Sequence, residues 1–324
     1  MPSSFKTNKM STNIFRHQKN FILENGTVLP GYHLAYTTFG TLNEKRDNVV
    51  WIFHALTANS NPEEWWPGFV GKGCFFSPEK YFIVCVNMPG SCYGSIGPLD
   101  TNSAGEKYYH HFPKFTVRDM VHSYQHLREY LNIEKIFIGI GGSMGGQQLL
   151  EWAIEEPELF EYIVPLATNA NHSQWGIAFN ESQRWVIEND ASWKERKDDA
   201  GIEGMKAARS IALLSYRNYE TYKSTRQEEA KEKNGATYQR HQGDKLAKRF
   251  NAFSYWYLSQ AMDSHDISRG RGSVEAALKK ISAKALVIGI SSPIRAKPST
   301  DSAARIRSLQ IASGTILSTK RRSA

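Results

Sequence analysis

No apolar run in this 324-residue chain approaches the roughly 20 residues needed to cross a bilayer, so no membrane span and no membrane partner are expected. The opening stretch, Met1 to Asn13, is polar and lacks the hydrophobic centre of a secretory signal, which makes the cytoplasm the expected compartment. Cysteine is scarce. Cys74, Cys85 and Cys92 are odd in number and lack metal-ligand spacing, so neither a disulfide framework nor a metal site is expected and the thiols are read as reduced. With 40% hydrophobic and 22% charged residues, the length suits one large α/β domain with an insertion, or two ordinary domains.

The acid-poor part of the chain is its end. The net charge is +8, but Pro293 to Ala324 holds seven lysines and arginines against Asp301 alone, so the tail carries +6 and the rest only +2. A nearly neutral body with a basic tail differs from a basic domain, and no nucleic-acid partner is expected.

What is present is organised around Gly141-Gly142-Ser143-Met144-Gly145-Gly146. The run Ile136 to Ile140 stops at glycines, and Met144 to Glu156 reads as a helix ended by Pro157, which gives strand, tight turn, helix. Ser143 stands at the apex of the turn, and glycines at 142 and 145 permit the cramped backbone of a nucleophile elbow. GxSxG alone is a weak signal. Its strand-before, helix-after context makes it a strong one.

Other elements follow the same logic. The arm to about His17 is expected to be disordered or peripheral, and Phe21 to Phe39 reads as short strands around Glu24-Asn25-Gly26. Val49 to Phe53, Tyr81 to Val86, Tyr162 to Ala167 and Ala285 to Ile290 are buried-strand candidates, with Pro165 a mark against a central ladder position. Thr116 and Asp119 resemble a cap for a helix that would bury Val117, Met120, Val121, Tyr124, Leu127 and Leu131. Alternating strands and helices imply a mostly parallel sheet covered on both faces. From Asn169 to about Ile281, aromatics such as Trp175, Trp193, Tyr216 and Tyr255 sit among charges at helical spacings and read as a helical lid packing its own core. Gln227 to Lys248 is a solvated helix or loop. The domain assignment is therefore core 1–168, lid 169–282, a core strand at 283–292 and a basic, disordered tail at 293–324.

Several motifs together resemble homoserine O-acetyltransferases of the α/β-hydrolase fold. They are His54-Ala55-Leu56-Thr57, Asn87 to Ser95, the elbow through Gln148, Ala208-Arg209 with Tyr216-Arg217, and Asp263-Ser264-His265-Asp266. The resemblance implies that Ser143 attacks the thioester of acetyl-CoA and that the hydroxyl of L-homoserine resolves the acetyl-serine. Acetyl-CoA is then a co-substrate, with no bound cofactor and no metal. The oxyanion donors it implies are the backbone N–H groups of Met144 and Leu56. Arg209 matches the position that binds the homoserine carboxylate, Tyr216 a neighbouring substrate-side residue, and a homodimer is implied. His265 is assigned a structural role, with Asp263 or Asp266 as partner. Homoserine succinylation, serine acetylation, serine hydrolysis and a catalytically dead chain remain the alternatives.

The resemblance breaks at about residue 293. Pro293 stands where the family has its triad aspartate, Asp301 is eight places late, and no histidine follows His265. The triad aspartate and histidine are thus not found, and the last strand and helix of the fold are expected to be missing. A frame change near codon 292 and a genuine divergent tail both account for this. The abrupt loss of motif and aromatic content favours the frame change.

Overall fold

A computed structural model of the chain describes residues 12–216 and 235–289, with the backbone of 306–307, 309–312 and 315–318. Strand β1 (Asn13–His17) lies antiparallel on β4 (Tyr32–Phe39), with Phe15 opposite Leu34. The arm expected to be peripheral or disordered thus contributes an edge strand from Asn13 onward, because Phe15 is buried there. Strands β2 (Phe21–Ile22) and β3 (Val28–Leu29) form the expected hairpin, whose turn needs a residue at φ +83° and finds it in Gly26.

The main sheet continues through β5 (Val49–Phe53), β6 (Phe82–Val86), β7 (Ile136–Gly142) and β8 (Phe160–Leu166) to the short β9 (Lys284–Ala285), β10 (Val287–Ile288) and β11 (Ile306–Arg307). Among the described residues its order is β1-β4-β6-β5-β7-β8-β10-β11, with β9 also on β8; β6 to β10 run parallel. A separate hairpin, β12 (Leu309–Ala312) and β13 (Thr315–Ser318), completes the strands. The remainder of the tail at 293–324, on which the expected loss of the last strand and helix falls, lies outside the described residues.

All five residues of β5 are buried, as a parallel strand covered on both faces requires. On one face Trp51 meets Trp152 edge-on at 4.9 Å, and on the other Ile52, Ile83, Ile140 and Val164 pack with Phe76. Pro165 does lie inside the sheet, against the expectation for proline. Its register partner is Gly141, and the neighbouring ladder on the far side is broken at Leu286, between β9 and β10, so no partner needs the N–H that proline lacks.

Helix α1 (Pro62–Trp65) is a single turn, and α2 (Val117–Tyr130) starts at a complete capping box. The Asp119 N–H donates to Thr116 Oγ1 at 3.1 Å and the Thr116 N–H to Asp119 Oδ2 at 2.9 Å. Helix α3 (Met144–Glu155) is buried from Met144 to Ile154. Its Glu151 carboxylate, 2% exposed, takes Arg118 Nε and Arg271 Nη2 at 2.5 Å each, which ties the helix to α2 and to the last part of the lid segment. The lid helices are α4 (Gln174–Glu188), α5 (Ile202–Tyr216), α6 (Gly235–Ala247) and α7 (Ala252–Asp263). Ser173 and Asn251 cap α4 and α7. The buried lid aromatics pack with the main core and not apart from it: Phe253 lies 5.0 Å from Trp193, the Tyr257 hydroxyl donates to the His110 carbonyl at 2.6 Å, and these residues form one cluster with Trp51 and Trp152, while Trp175 and Tyr216 are exposed. Helix α8 (Val274–Leu278) returns the chain to the sheet. Of the charged stretch Gln227 to Lys248, residues 227–234 lie outside the described residues and most of the rest is α6. Among the described residues no helix is long and apolar enough to cross a membrane.

Candidate active site

Strand β7 delivers the chain to Ser143, which adopts φ +54° and ψ −123°. For a residue with a Cβ this conformation is strained, and it persists only where the surroundings fix it. Here they do. The Ser143 N–H donates to the Leu166 carbonyl at 2.9 Å, and the Ser143 carbonyl accepts from Gly146 N–H, Gln147 N–H and Thr168 Oγ1 at 2.9, 3.2 and 2.8 Å. The side chain is left exposed and makes no capping bond to the helix.

The glycines explain how the turn closes, with one change from the expectation. A Cβ on Gly145 would lie 2.2 Å from the Phe53 carbonyl oxygen and 2.9 Å from that of His54, and one on Gly141 would lie 2.5 Å from Gly145 O. At Gly142 a Cβ would meet Leu166 at an ordinary 3.9 Å. A Cβ on Gly146 would lie 2.7 Å from the Thr168 side chain, so the tight positions are 141, 145 and 146; Gly142 has room.

Met144 is the first residue of α3, so its N–H belongs to the helix's unpaired first turn, where negative charge is favoured. Leu56 occupies the second position of a turn closed by Ala58 N–H to Ala55 O at 3.0 Å. In such a turn the second N–H faces outward with no internal acceptor. Phe53, at the end of β5, pairs in register with Gly141, so this turn leaves the sheet beside the elbow. The Leu56 side chain meanwhile packs on the main core, so core packing and a backbone role coexist.

His54 anchors the turn. Its Nδ1–H donates to Ala55 O at 2.9 Å, and its Nε2 accepts from Met88 N–H at 3.3 Å, which fixes the neutral tautomer. Burial pushes its pKa down to about 4.

Arg209 and Tyr216 come together on α5, with the guanidinium carbon 5.5 Å from the Tyr216 ring centre. Arg209 Nε is buried with no hydrogen-bond partner, and among the described residues the side chain forms no ion pair. His265 donates from Nε2 to Asn169 O at 3.1 Å. Neither expected aspartate is its hydrogen-bond partner: Asp263 pairs with Arg184 at 2.6 Å, and Asp266 Oδ1 accepts from Ser268. Among the described residues no group of three or more histidine, cysteine or carboxylate side chains is placed to hold a metal ion. The sequence held no sign of Thr168 or Arg249, and marked Tyr93 only as part of the Asn87 to Ser95 motif; all three lie in loops without periodic pattern and reach the elbow or its neighbouring turn through tertiary contact.

A strained, exposed serine between a parallel strand and a buried helix defines a nucleophile elbow, and with it an α/β-hydrolase-fold protein. The family model for the alpha/beta hydrolase fold matches residues 48–290 and stops just before Pro293. A homoserine O-acetyltransferase of Cyclobacterium marinum is 47% identical over 298 residues, covering 91% of this chain and 85% of its own. The crystal structure of the homoserine O-acetyltransferase from Staphylococcus aureus is 28% identical with a TM-score of 0.73, covering 88% of this chain and 81% of its own. An acetylester hydrolase from Corynebacterium glutamicum shares the fold at TM-score 0.78 and 24% identity, covering 88% of this chain and 83% of its own. The chain belongs to the homoserine O-acetyltransferase family.

Proposed function

We propose that this chain carries the acyl-transfer half-site for moving an acetyl group from acetyl-CoA to the hydroxyl of L-homoserine, a step of methionine biosynthesis in the cytoplasm. Ser143 Oγ attacks the thioester carbon, the carbon–sulfur bond breaks, and the thiol leaves with the proton. The homoserine hydroxyl then attacks acetyl-Ser143 and returns the proton to the serine. The Met144 and Leu56 N–H groups receive the oxyanion in both steps, each such donor being worth about 3 kcal/mol. The triad aspartate and histidine are absent from this chain, so both steps lack their proton carrier and the activity is impaired.

The observation that supports homoserine as acceptor is Arg209. A half-buried guanidinium with an unpaired Nε and, among the described residues, no carboxylate partner is suited to clamp the carboxylate of an incoming amino acid. Tyr216 stacks against it on the solvent side. Long incubation with acetyl-CoA or succinyl-CoA, followed by intact mass measurement, tests the donor. An acetyl but no succinyl adduct, absent in Ser143→Ala and discharged by L-homoserine faster than by L-serine or water, is expected. A succinyl adduct, or discharge by water alone, would replace this reading with a succinyltransferase or a hydrolase.

A homodimer through the lid goes with this reading. Trp175 and Trp185 on α4 and Leu214 on α5 are 59%, 67% and 63% exposed, an apolar surface that a second copy would cover. Sedimentation is expected to give a dimer, and Trp185→Glu with Leu214→Glu a monomer. A monomeric parent chain would remove the proposal.

A further inference from the structure

We propose that Arg249 is a positioning residue through which the lid sets the geometry of the oxyanion turn. The inference rests on the reading of the Leu56 N–H as an oxyanion donor. The turn Ala55 to Ala58 is held at its first carbonyl by His54 from the sheet side. Its third carbonyl, that of Thr57, is held from the opposite side. Arg249 Nη1 donates to Thr57 O, and the same nitrogen lies 2.5 Å from the Tyr93 hydroxyl, which itself reaches Thr57 O at 3.5 Å.

Arg249 follows α6 and stands two residues before Asn251, the cap of α7, so this contact is made by the lid. Its backbone is fixed by Arg249 N–H to Leu246 O at 2.9 Å and by Cys92 Sγ, 3.4 Å from the Arg249 carbonyl. Phe250, 4% exposed, then anchors the junction with its ring 5.7 Å from that of Tyr93. Among the described residues Arg249 forms no ion pair with a carboxylate, although an exposed arginine in a charged lid has many available. Its guanidinium is spent on a backbone carbonyl and a phenol.

The consequence follows from turn geometry. The peptide that carries Thr57 O also carries the Ala58 N–H, which bonds Ala55 O at 3.0 Å, and Ala55 O shares its peptide with the Leu56 N–H; rotating the first peptide would break both the arginine contact and the bond that orients the second. With the lid seated, both ends of the turn are fixed and the donor is pre-organised. With the lid displaced, only the His54 end is held. Lid seating and oxyanion-hole formation are in this way one event.

Hydrogen exchange tests this without requiring turnover. The reporters are the amides of Ala58, bonded to Ala55 O, and Ser60, bonded to Asn87 Oδ1 at 2.7 Å. In Arg249→Met their exchange is expected to rise about tenfold, the loss of one charge-assisted hydrogen bond, while amides of β7 and α3 keep their protection. Arg249→Lys, which retains one donor for Thr57, is expected to recover part of the protection. Tyr93→Phe is expected to have a smaller effect. Unchanged exchange at Ala58 and Ser60 in Arg249→Met, or a rise shared equally by β7 and α3, overturns the proposal. Should acetyl-Ser143 form at the same rate in Arg249→Met with the turn unaltered, the clamp fails and the family reading stands. Should acetylation fail in every variant while the turn loosens as stated, the clamp stands and the reaction assignment falls.

Discussion

Supplied with acetyl-CoA and L-homoserine, the chain is expected to turn over on the order of a million-fold more slowly than a family member with a complete triad, a deficit of about 8 kcal/mol. A serine hydroxyl is a weak nucleophile until a base takes its proton, and the leaving thiolate and incoming hydroxyl need the same proton carrier. His54, His172 and His265 do not fill that place. His54 has both ring nitrogens engaged, by Ala55 O and Met88 N–H, inside the core. His265 is spent on the Asn169 carbonyl, and His172 is held between Asn169 and Asn180. What remains is the oxyanion pair and substrate positioning, which alone give on the order of a thousand-fold over water. Thiol release from acetyl-CoA, compared between this chain, its Ser143→Ala variant and a triad-complete relative, measures the deficit. Turnover within about a hundred-fold of the relative, abolished by Ser143→Ala, would show that another group supplies the base.

Acid is expected to remove about 6 kcal/mol of folding stability between neutral pH and pH about 4, through His54 and His265. Burial is the main cause in both, and holds each folded imidazole at about 4 against 6.5 in the unfolded chain. Between those values the unfolded state binds the extra protons. Stability is thus fully present above pH about 6.5 and is lost as pH falls toward the folded value, about 3 kcal/mol for each group. His17, His33, His110, His126 and His172 are also lowered by burial and act in the same direction. Asp119, raised by burial, opposes them weakly. Against a typical margin of roughly 5 to 15 kcal/mol the loss is large enough to unfold the protein. Urea unfolding across this range is expected to show the fall, with a shallower slope in His54→Gln. A flat profile from neutral pH to pH about 4.5 would mean that these imidazoles are hydrated in the folded state.

The elbow was legible because it is local. A β-branched run, a glycine turn and an apolar helical pattern are all contained within about 20 residues, and each element forms where its periodicity places it. The cap of α2 was legible for the same reason, since Thr116 and Asp119 satisfy one another's backbone. Sequence pattern was less informative where pairing across the sheet decides. It read the arm to about His17 as disordered or peripheral and did not find its edge strand, for which β4 offers a complete antiparallel partner. It counted Pro165 against its strand because a proline's cost depends on whether a neighbour needs its N–H, which is a property of the neighbour.

By itself the sequence determined the alternating α/β architecture, the serine at the strand-to-helix turn, and the departure of the chain from its family after Ser292. These are carried by periodicity, by glycine's conformational freedom and by residues simply present or missing. Only the tertiary structure decided that Gly141, Gly145 and Gly146 rather than Gly142 are the sterically required glycines, that His265 bonds a carbonyl and no aspartate, and that Arg249 of the lid grips the turn bearing Leu56. The reason is physical: close approach, desolvation and hydrogen-bond pairing between segments up to 245 positions apart are set by how the elements pack, and no short window of sequence contains them.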